Sequence, residues 1–241
     1  ITRFPPEPNG YPHIGHAKAA IINAEYAKMY DGKLILRMDD TNPEAERMEY
    51  HAAIKVGLDW LGIKFDIIKN TSDDMELFYK RGIELINSGN AYICTCKRDE
   101  ISNNRKERKA CKCSRGDIKQ NIKGWQKMFD KFKPGDAIVR FRGDMKADNA
   151  VMRDPVLFRI IDEKHYTLGN KYRVWPSYDF AVAIEDSNDG VTHAFRSKEF
   201  ELRKELIDAI LDALNMRKPY QDFFSRLEFK GMPISKRILK P

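Results

Sequence analysis

The stretch Thr2-Arg-Phe-Pro-Pro-Glu-Pro-Asn-Gly-Tyr-Pro-His-Ile-Gly-His16, carried through Tyr30 and into Leu34-Ile-Leu-Arg-Met38, decides the fold. Residues 2–4 make a short strand that Pro5, Pro6, Pro8 and Gly10 break. Over 14–30 the pattern turns helical: Ala17, Ala20, Ile21, Ala24 and Ala27 recur along one helix face, the stripe of a helix packed on a core. The apolar run 34–38 reads as a buried strand. In the turn Asp39-Asp-Thr-Asn-Pro43, Asn42 is placed to cap and Pro43 to open a helix that runs to Leu61, with Ile54, Leu58 and Leu61 on one face. Strand, helix, strand, helix with short connections predicts a parallel α/β sheet with helical crossovers.

Outward from this start, 75–88 is an amphipathic helix with Gly89 as its C-cap. The rhythm then changes. Residues 137–142 and 156–160 alternate like half-exposed strands, whereas 96–135 is polar and turn-rich. After Trp175-Pro176 the first rhythm resumes, with helix near 178–185, strand 191–195, helix 201–214 and strand 227–229. The expected organisation is a nucleotide-binding-type sheet in two halves, 1–91 and 176–241, interrupted by a mostly β insert at 92–175.

At 241 residues with 42% hydrophobic and 33% charged content, the chain can bury a full core without covalent staples. It holds no apolar run of the roughly 18 residues that a membrane helix needs, and no charged segment leading into an apolar one as in a secretion signal. The expectation is a soluble, cytoplasmic protein. Because the sequence lacks an initiator Met and stops in mid-pattern at Leu239-Lys-Pro241, it is also expected to be a piece of something larger. The net charge of +7 is unevenly placed: residues 92–175 carry 21 basic and 11 acidic side chains, whereas 1–91 carries 11 and 14, and 176–241 carries 11 of each. A surplus confined to one segment is the footprint of a surface that tracks a phosphate backbone.

Three constellations carry chemistry. Pro12-His-Ile-Gly-His16 lies at a strand-to-helix junction, where unpaired N–H groups and the helix dipole favour an anion, and His13 and His16 add donors one turn apart. Gly15 leaves room for a flat ring against the backbone. Such a site suits a triphosphate attacked at its α-phosphorus. Walker and Gly-x-Gly-x-x-Gly loops are absent. The loop Gly231-Met-Pro-Ile-Ser-Lys-Arg237 offers Ser235, Lys236 and Arg237 to phosphates on a Gly/Pro hinge. All four cysteines lie in the insert as two Cys-x-Cys pairs, Cys94 with Cys96 and Cys111 with Cys113, a ligand set for a structural Zn²⁺. Glu185-Asp186, Glu44 and Glu46 read as solvated faces, and Trp60, Trp125 and Trp175 as core or interface residues.

The run 3–18, together with Leu36-Arg-Met-Asp-Asp-Thr-Asn-Pro43, Val151-Met-Arg-Asp-Pro155, Tyr178-Asp-Phe180, Val191-Thr-His193 and Ile234-Ser-Lys-Arg237, resembles the catalytic region of class I glutamyl- and glutaminyl-tRNA synthetases over nearly the whole chain, closest to their archaeal and eukaryotic branch. The resemblance implies a Rossmann-like α/β sheet with an inserted α+β module that holds the tRNA acceptor end. It makes 13–16 the HIGH signature and 234–237 the KMSKS signature. Two positions depart from the pattern: Pro12 stands where an aliphatic residue is usual, and Pro233-Ile234 where Lys-Met would be. The resemblance further implies an amino-acid pocket lined by Arg3, Glu7, Asp39 and Tyr178, with ATP and Mg²⁺ held near Gly15, Ser235, Lys236 and Arg237. His13, His16 and Lys236 would act on the transferring phosphate. Arg196 matches the place where glutamyl enzymes carry Arg and glutaminyl enzymes a smaller neutral residue. A guanidinium there pairs with a side-chain carboxylate and is left partly unpaired by an amide, which favours glutamate and tRNA(Glu) and leaves tRNA(Gln) open. The alternatives are a glutaminyl enzyme, another nucleotidyltransferase of the same signature, and a tRNA-binding relative without activity.

Overall fold

The computed structural model describes residues 1–225. Strands β1 (Thr2–Phe4), β2 (Leu34–Met38) and β3 (Ile67–Asn70) form a parallel sheet in that order, crossed by helices α1 (Ile14–Met29) and α2 (Met48–Trp60). Every residue of β2 is buried, as the apolar run requires of a strand covered on both faces. Helix α1 is less one-sided than its sequence suggests. It buries Ala20, Asn23 and Ala27, while Ile21 faces solvent, because the inward positions are held by small residues that let the helix lie close to β1. Helix α2 starts at Met48 and not after Asn42, since the Glu46 carboxylate accepts from the Asn42 N–H at 2.8 Å and closes a turn over 42–46.

The second half brings α6 (Tyr178–Asn188), β8 (His193–Ser197), α7 (Lys204–Ala213) and β9 (Tyr220–Phe224), with β8 and β9 parallel. Thr192 and His193 donate backbone N–H groups to the Ile1 carbonyl at 2.9 and 3.2 Å, which sets β8 alongside β1. The strands of the first half therefore succeed one another away from β1 on one side, and those of the second half on the other. This reversal is the crevice where open α/β sheets place their ligands.

Between the halves, α3 (Met75–Asn87) leads to a four-stranded antiparallel sheet, β4 (Ala91–Cys94), β5 (Ile138–Phe141), β6 (Val156–Ile160) and β7 (Val174–Pro176). The segment expected to be turn-rich instead holds α4 (Arg98–Lys106) and α5 (Ile118–Asp130), so the insert is α+β and not mostly β. Helix α5 seats against β4 so closely that a Cβ on Gly124 would sit 2.9 Å from Ile93. One buried cluster runs from Phe78, Trp125, Val139 and Phe158 through Trp175 into Phe180, Leu206 and Ile210, tying the insert's sheet to α6 and α7. Trp125 and Trp175 are core residues as expected, whereas Trp60, at the end of α2, is 84% exposed.

Candidate functional site

His13 is the N-cap of α1. Its extended backbone lets Nδ1 accept from the Gly15 N–H at 3.0 Å, while His16 Nδ1 accepts from the His13 N–H at 3.2 Å. The two imidazoles thus close a capping box in which the usual hydroxyl and carboxylate are replaced by ring nitrogens. With both Nδ1 atoms accepting, Nε2 is the donor position of each ring. The ring centroids are 4.1 Å apart. A Cβ at Gly15 would lie 2.8 Å from His13 Cε1, so the room that Gly15 provides is used by the His13 ring itself. Lys18, on the same helix, donates to the Ser225 carbonyl at 2.5 Å and so ties the residue after β9 to this helix. Ser235, Lys236, Arg237 and the expected strand 227–229 lie outside the described residues.

Behind the helix, the ends of β1, β2 and β8 deliver guanidinium groups onto one carboxylate. Arg3 grips Asp186 through Nε and Nη2 at 2.9 and 3.1 Å, Arg37 reaches it at 2.8 Å, and Arg196 Nη2 does so at 2.8 Å. Arg3, Arg37 and Asp186 are wholly inaccessible. The arginines hold the Asp186 carboxyl well below the usual range against the opposing effect of burial. Its neighbour Glu185, 2.7 Å from Lys69, is pushed by burial up to about 9. The expectation that Glu185-Asp186 forms a solvated face is therefore wrong: α6 is buried from Phe180 to Asp186, with the Asp186 carboxylate held by three arginines and the Glu185 carboxyl set against Lys69. Arg196 also donates from Nη1 to Gln221 Oε1, which leaves its buried Nε without a partner.

Facing these cations are carboxylates. Asp39, at the end of β2, accepts from Thr71 Oγ1 at 2.9 Å through one oxygen, while its buried Oδ2 has no partner. Burial raises its pKa against the lowering effect of Arg37, and Glu7, half-buried on the 5–13 loop, adds to the rise. The Tyr178 phenol, raised by burial, feels the charges of Arg196, Asp39, Arg3 and Asp186 together. Arg3, Glu7, Asp39, Tyr178 and Arg196 thus share one neighbourhood, in which three guanidinium groups converge on Asp186 while Asp39 and Glu7 add negative charge.

A second carboxylate layer, for which the sequence carries no pattern, supports Asp39. Asp40 accepts from the Ser72 N–H and Oγ, both at 2.8 Å, and from Tyr166 OH at 3.0 Å, and burial lifts it to about 7. His165 Nε2 lies 3.0 Å from the Asp40 carbonyl and 3.8 Å from Glu46 Oε2. Glu46 is buried, not solvated like its exposed neighbour Glu44, and burial assisted by Asp40, Glu7 and Asp39 raises it to about 9. A carboxyl whose pKa rises on folding keeps a proton that the unfolded chain releases, so its contribution falls as pH climbs from the ordinary carboxylate range toward about 9. Glu46→Gln keeps the acceptor for Asn42 and removes this titration. The melting temperature of wild type is expected to drop more than that of the variant between about pH 5.5 and 8.5, and parallel curves would contradict the assignment.

In the insert the four cysteine sulfurs all lie within 4.8 Å of one another, with Cys94 to Cys111 at 3.9 Å and Cys96 to Cys113 at 3.7 Å. A tetrahedral metal at about 2.3 Å from each thiolate needs sulfur–sulfur edges of about 3.8 Å. The donor set and its spacing therefore fit a structural Zn²⁺. Beside it, Lys112, Arg115, Lys123 and Lys127 border a groove of about 520 Å³ that also touches Cys113. These four cations are exposed and enter no ion pair among the described residues. In contrast, Arg108 is paired with Asp148 and Lys109 with Glu107.

Fold and site together define a parallel α/β domain in which two histidines cap the helix after the first strand, with a basic, cysteine-bearing insert. The chain belongs to the family of class I tRNA synthetases for glutamate and glutamine, whose catalytic-domain model matches residues 1–240. It is 84% identical over 241 residues to the glutamate–tRNA ligase of Nitrosopumilus maritimus (strain SCM1), covering all of this chain and 42% of that protein. To the glutamine–tRNA ligase of Saccharomyces cerevisiae it is 40% identical over 246 residues, covering 98% of this chain and 30% of that protein. Among solved structures, a glutamate tRNA ligase from Elizabethkingia meningosepticum in complex with its amino acid has the same fold, with a TM-score of 0.74 at 21% identity over 98% of this chain and 51% of that one. The chain thus spans less than half the length of the two ligases it matches by sequence. No described helix is long and apolar enough to cross a membrane.

Proposed function

We propose that this chain is the catalytic region of a cytoplasmic glutamate–tRNA ligase. The observation that carries the reading is the buried pair of arginines, Arg3 and Arg196, at the sheet's switch point, opposite the unpartnered Asp39 oxygen and next to the His13/His16 helix start. A zwitterion with a second carboxylate matches that polarity: its ammonium goes to Asp39 and Glu7, and its side-chain carboxylate to the free Nε edge of Arg196, with Tyr178 between them. The substrate's α-carboxylate oxygen then attacks the α-phosphorus of ATP. One phosphorus–oxygen bond forms, the bond to pyrophosphate breaks, and glutamyl-adenylate results. His13 and His16 stabilise charge on the phosphate oxygens from fixed positions, which needs no covalent intermediate on the enzyme. Lys236, Ser235 and Arg237 act on the triphosphate, and Mg²⁺, when bound with ATP, neutralises the departing pyrophosphate. A ribose hydroxyl at the tRNA 3′ end then attacks the acyl carbon and releases AMP.

The insert holds the acceptor end, with Zn²⁺ on Cys94, Cys96, Cys111 and Cys113 ordering the two loops that frame the basic groove. tRNA(Glu) is the partner this implies, with tRNA(Gln) as a further acceptor. Charging of tRNA with labelled glutamate by the intact protein tests the reading. In the same assay, Lys112, Lys123 and Lys127 changed together to Ala should weaken tRNA binding and flatten its log–log salt slope by up to about 0.9 per lost phosphate contact, with ATP affinity unchanged. An unaltered slope would show that the groove is only a solvated face.

A further inference from the structure

Arg140 is a buried cation that the mechanism above does not use. It is wholly inaccessible, yet it forms no ion pair with a carboxylate among the described residues, and its Nη2 has no hydrogen-bond partner. A guanidinium taken from water without an anion is costly enough that its neighbours should be searched for negative charge. Its neighbours are the buried Asp154 carboxylate, beyond ion-pair distance, the Tyr92 ring at 5.7 Å, and two sulfurs: Nη1 lies 3.6 Å from Cys111 Sγ and 3.9 Å from Cys94 Sγ. We propose that Arg140 is the charge partner and positioning residue of the four-cysteine metal site, and that it ties this site to the Val151-Met-Arg-Asp-Pro155 segment. The inference rests on the zinc reading of the cysteines.

Several observations converge on it. A divalent zinc held by four thiolates carries a net charge of about −2, and in a buried setting that charge calls for a nearby cation. Arg140 stands opposite Tyr92 in the β4/β5 ladder, and on its other edge the β5/β6 pairing shifts register between Val139 and Arg140, an irregularity of the kind that re-aims a side chain. Its Nε donates to the Asp154 carbonyl at 2.7 Å, and the Asp154 carboxylate accepts from Tyr92 OH at 2.8 Å and from the Gly143 N–H at 3.0 Å. Asp154 has φ 44°, a left-handed backbone that such a set of contacts can hold in place. A Cβ on Gly143 would lie 2.0 Å from the Met152 carbonyl, so the segment is seated against the β5 end with no space to spare. The Met-Arg-Asp-Pro stretch, which has no place in the phosphate or amino-acid site, thereby acquires a role as the floor beneath the metal centre.

The test compares zinc affinity, by chelator competition on the intact protein, in wild type, Arg140→Met and Arg140→Lys. Loss of an outer partner of this kind weakens metal binding about 10- to 100-fold, and this is expected for Arg140→Met, with Arg140→Lys between it and wild type. In the cobalt-loaded proteins the sulfur-to-metal charge-transfer bands should move to longer wavelength when the cation is removed. Melting supplies the control: Arg140→Met should fall below wild type with zinc bound and match or exceed it after zinc is stripped. Equal zinc affinity in wild type and variants overturns the proposal, and so does an equal loss of melting temperature in both metal states, which is what a purely structural bond to Asp154 would give. Should Arg140→Met fail to fold, the affinity and cobalt spectrum of Arg140→Lys decide. A wild type that binds no zinc removes the zinc reading itself.

Discussion

Replacement of His13 or His16 by Ala should slow glutamyl-adenylate formation by about 100-fold or more in the intact enzyme, the usual worth of one fixed donor to a developing oxyanion. The geometry adds a complication specific to this chain, because both rings also cap α1. Losing an N-cap costs about 1 kcal/mol of helix stability, so part of any effect of His13→Ala would come from a frayed helix start. His13→Asn separates the two roles, since an amide oxygen still accepts from the Gly15 N–H while the imidazole is gone. Melting close to wild type with exchange still about 100-fold down is the expected pair of results. Near wild-type pyrophosphate exchange in both Ala variants would remove these residues from the mechanism.

Arg196→Ala should reduce the preference for glutamate over glutamine by about one to two decades, from the roughly 1.5 to 3 kcal/mol of a hydrogen bond to a charged partner. The fold should survive. Asp186 would keep two guanidinium partners, Arg3 and Arg37, and so would not become an unpaired buried charge. Gln221 would lose its Arg196 contact but keep its bond to Asp208 at 2.9 Å. ATP affinity should be unaffected. If the variant keeps the wild-type ratio of specificity constants, Arg196 serves only to balance Asp186 and the glutaminyl reading gains ground, in line with the glutamine ligase among the relatives.

The first half of the sheet was legible because its signals agree: β2 is a short run of large apolar residues broken only by Arg37, and His13 at the start of α1 follows a Pro-rich break. Gly89, at φ 77°, ends α3 as the C-cap rule expects. Helix α4 was illegible for a physical reason, since it buries none of its residues and so carries no apolar stripe. Helix α5 did carry one, in Ile122, Trp125, Met128 and Phe129, hidden among lysines, of which Lys123 and Lys127 face the groove. The deeper failure concerns charge. Asp186, Glu185, Glu46 and Arg140 look like surface residues in a sequence, because nothing local shows that a strand far away in the chain supplies the opposite charge. The candidate site residues on turns and strand ends were named from motif and resemblance, whereas the groups that contact them, Thr71, Ser72, His165 and Gln221, became visible only through contacts across long separations.

In the proposed function this chain activates glutamate with the substrate's side-chain carboxylate on Arg196, which Arg3 helps to position through their shared partner Asp186. The direct measurement is ATP–pyrophosphate exchange by the intact protein, with tRNA present, driven in turn by glutamate and by glutamine. Exchange with glutamate is expected at a specificity constant at least about tenfold above that with glutamine. Exchange driven equally or better by glutamine, or by neither amino acid, would contradict it.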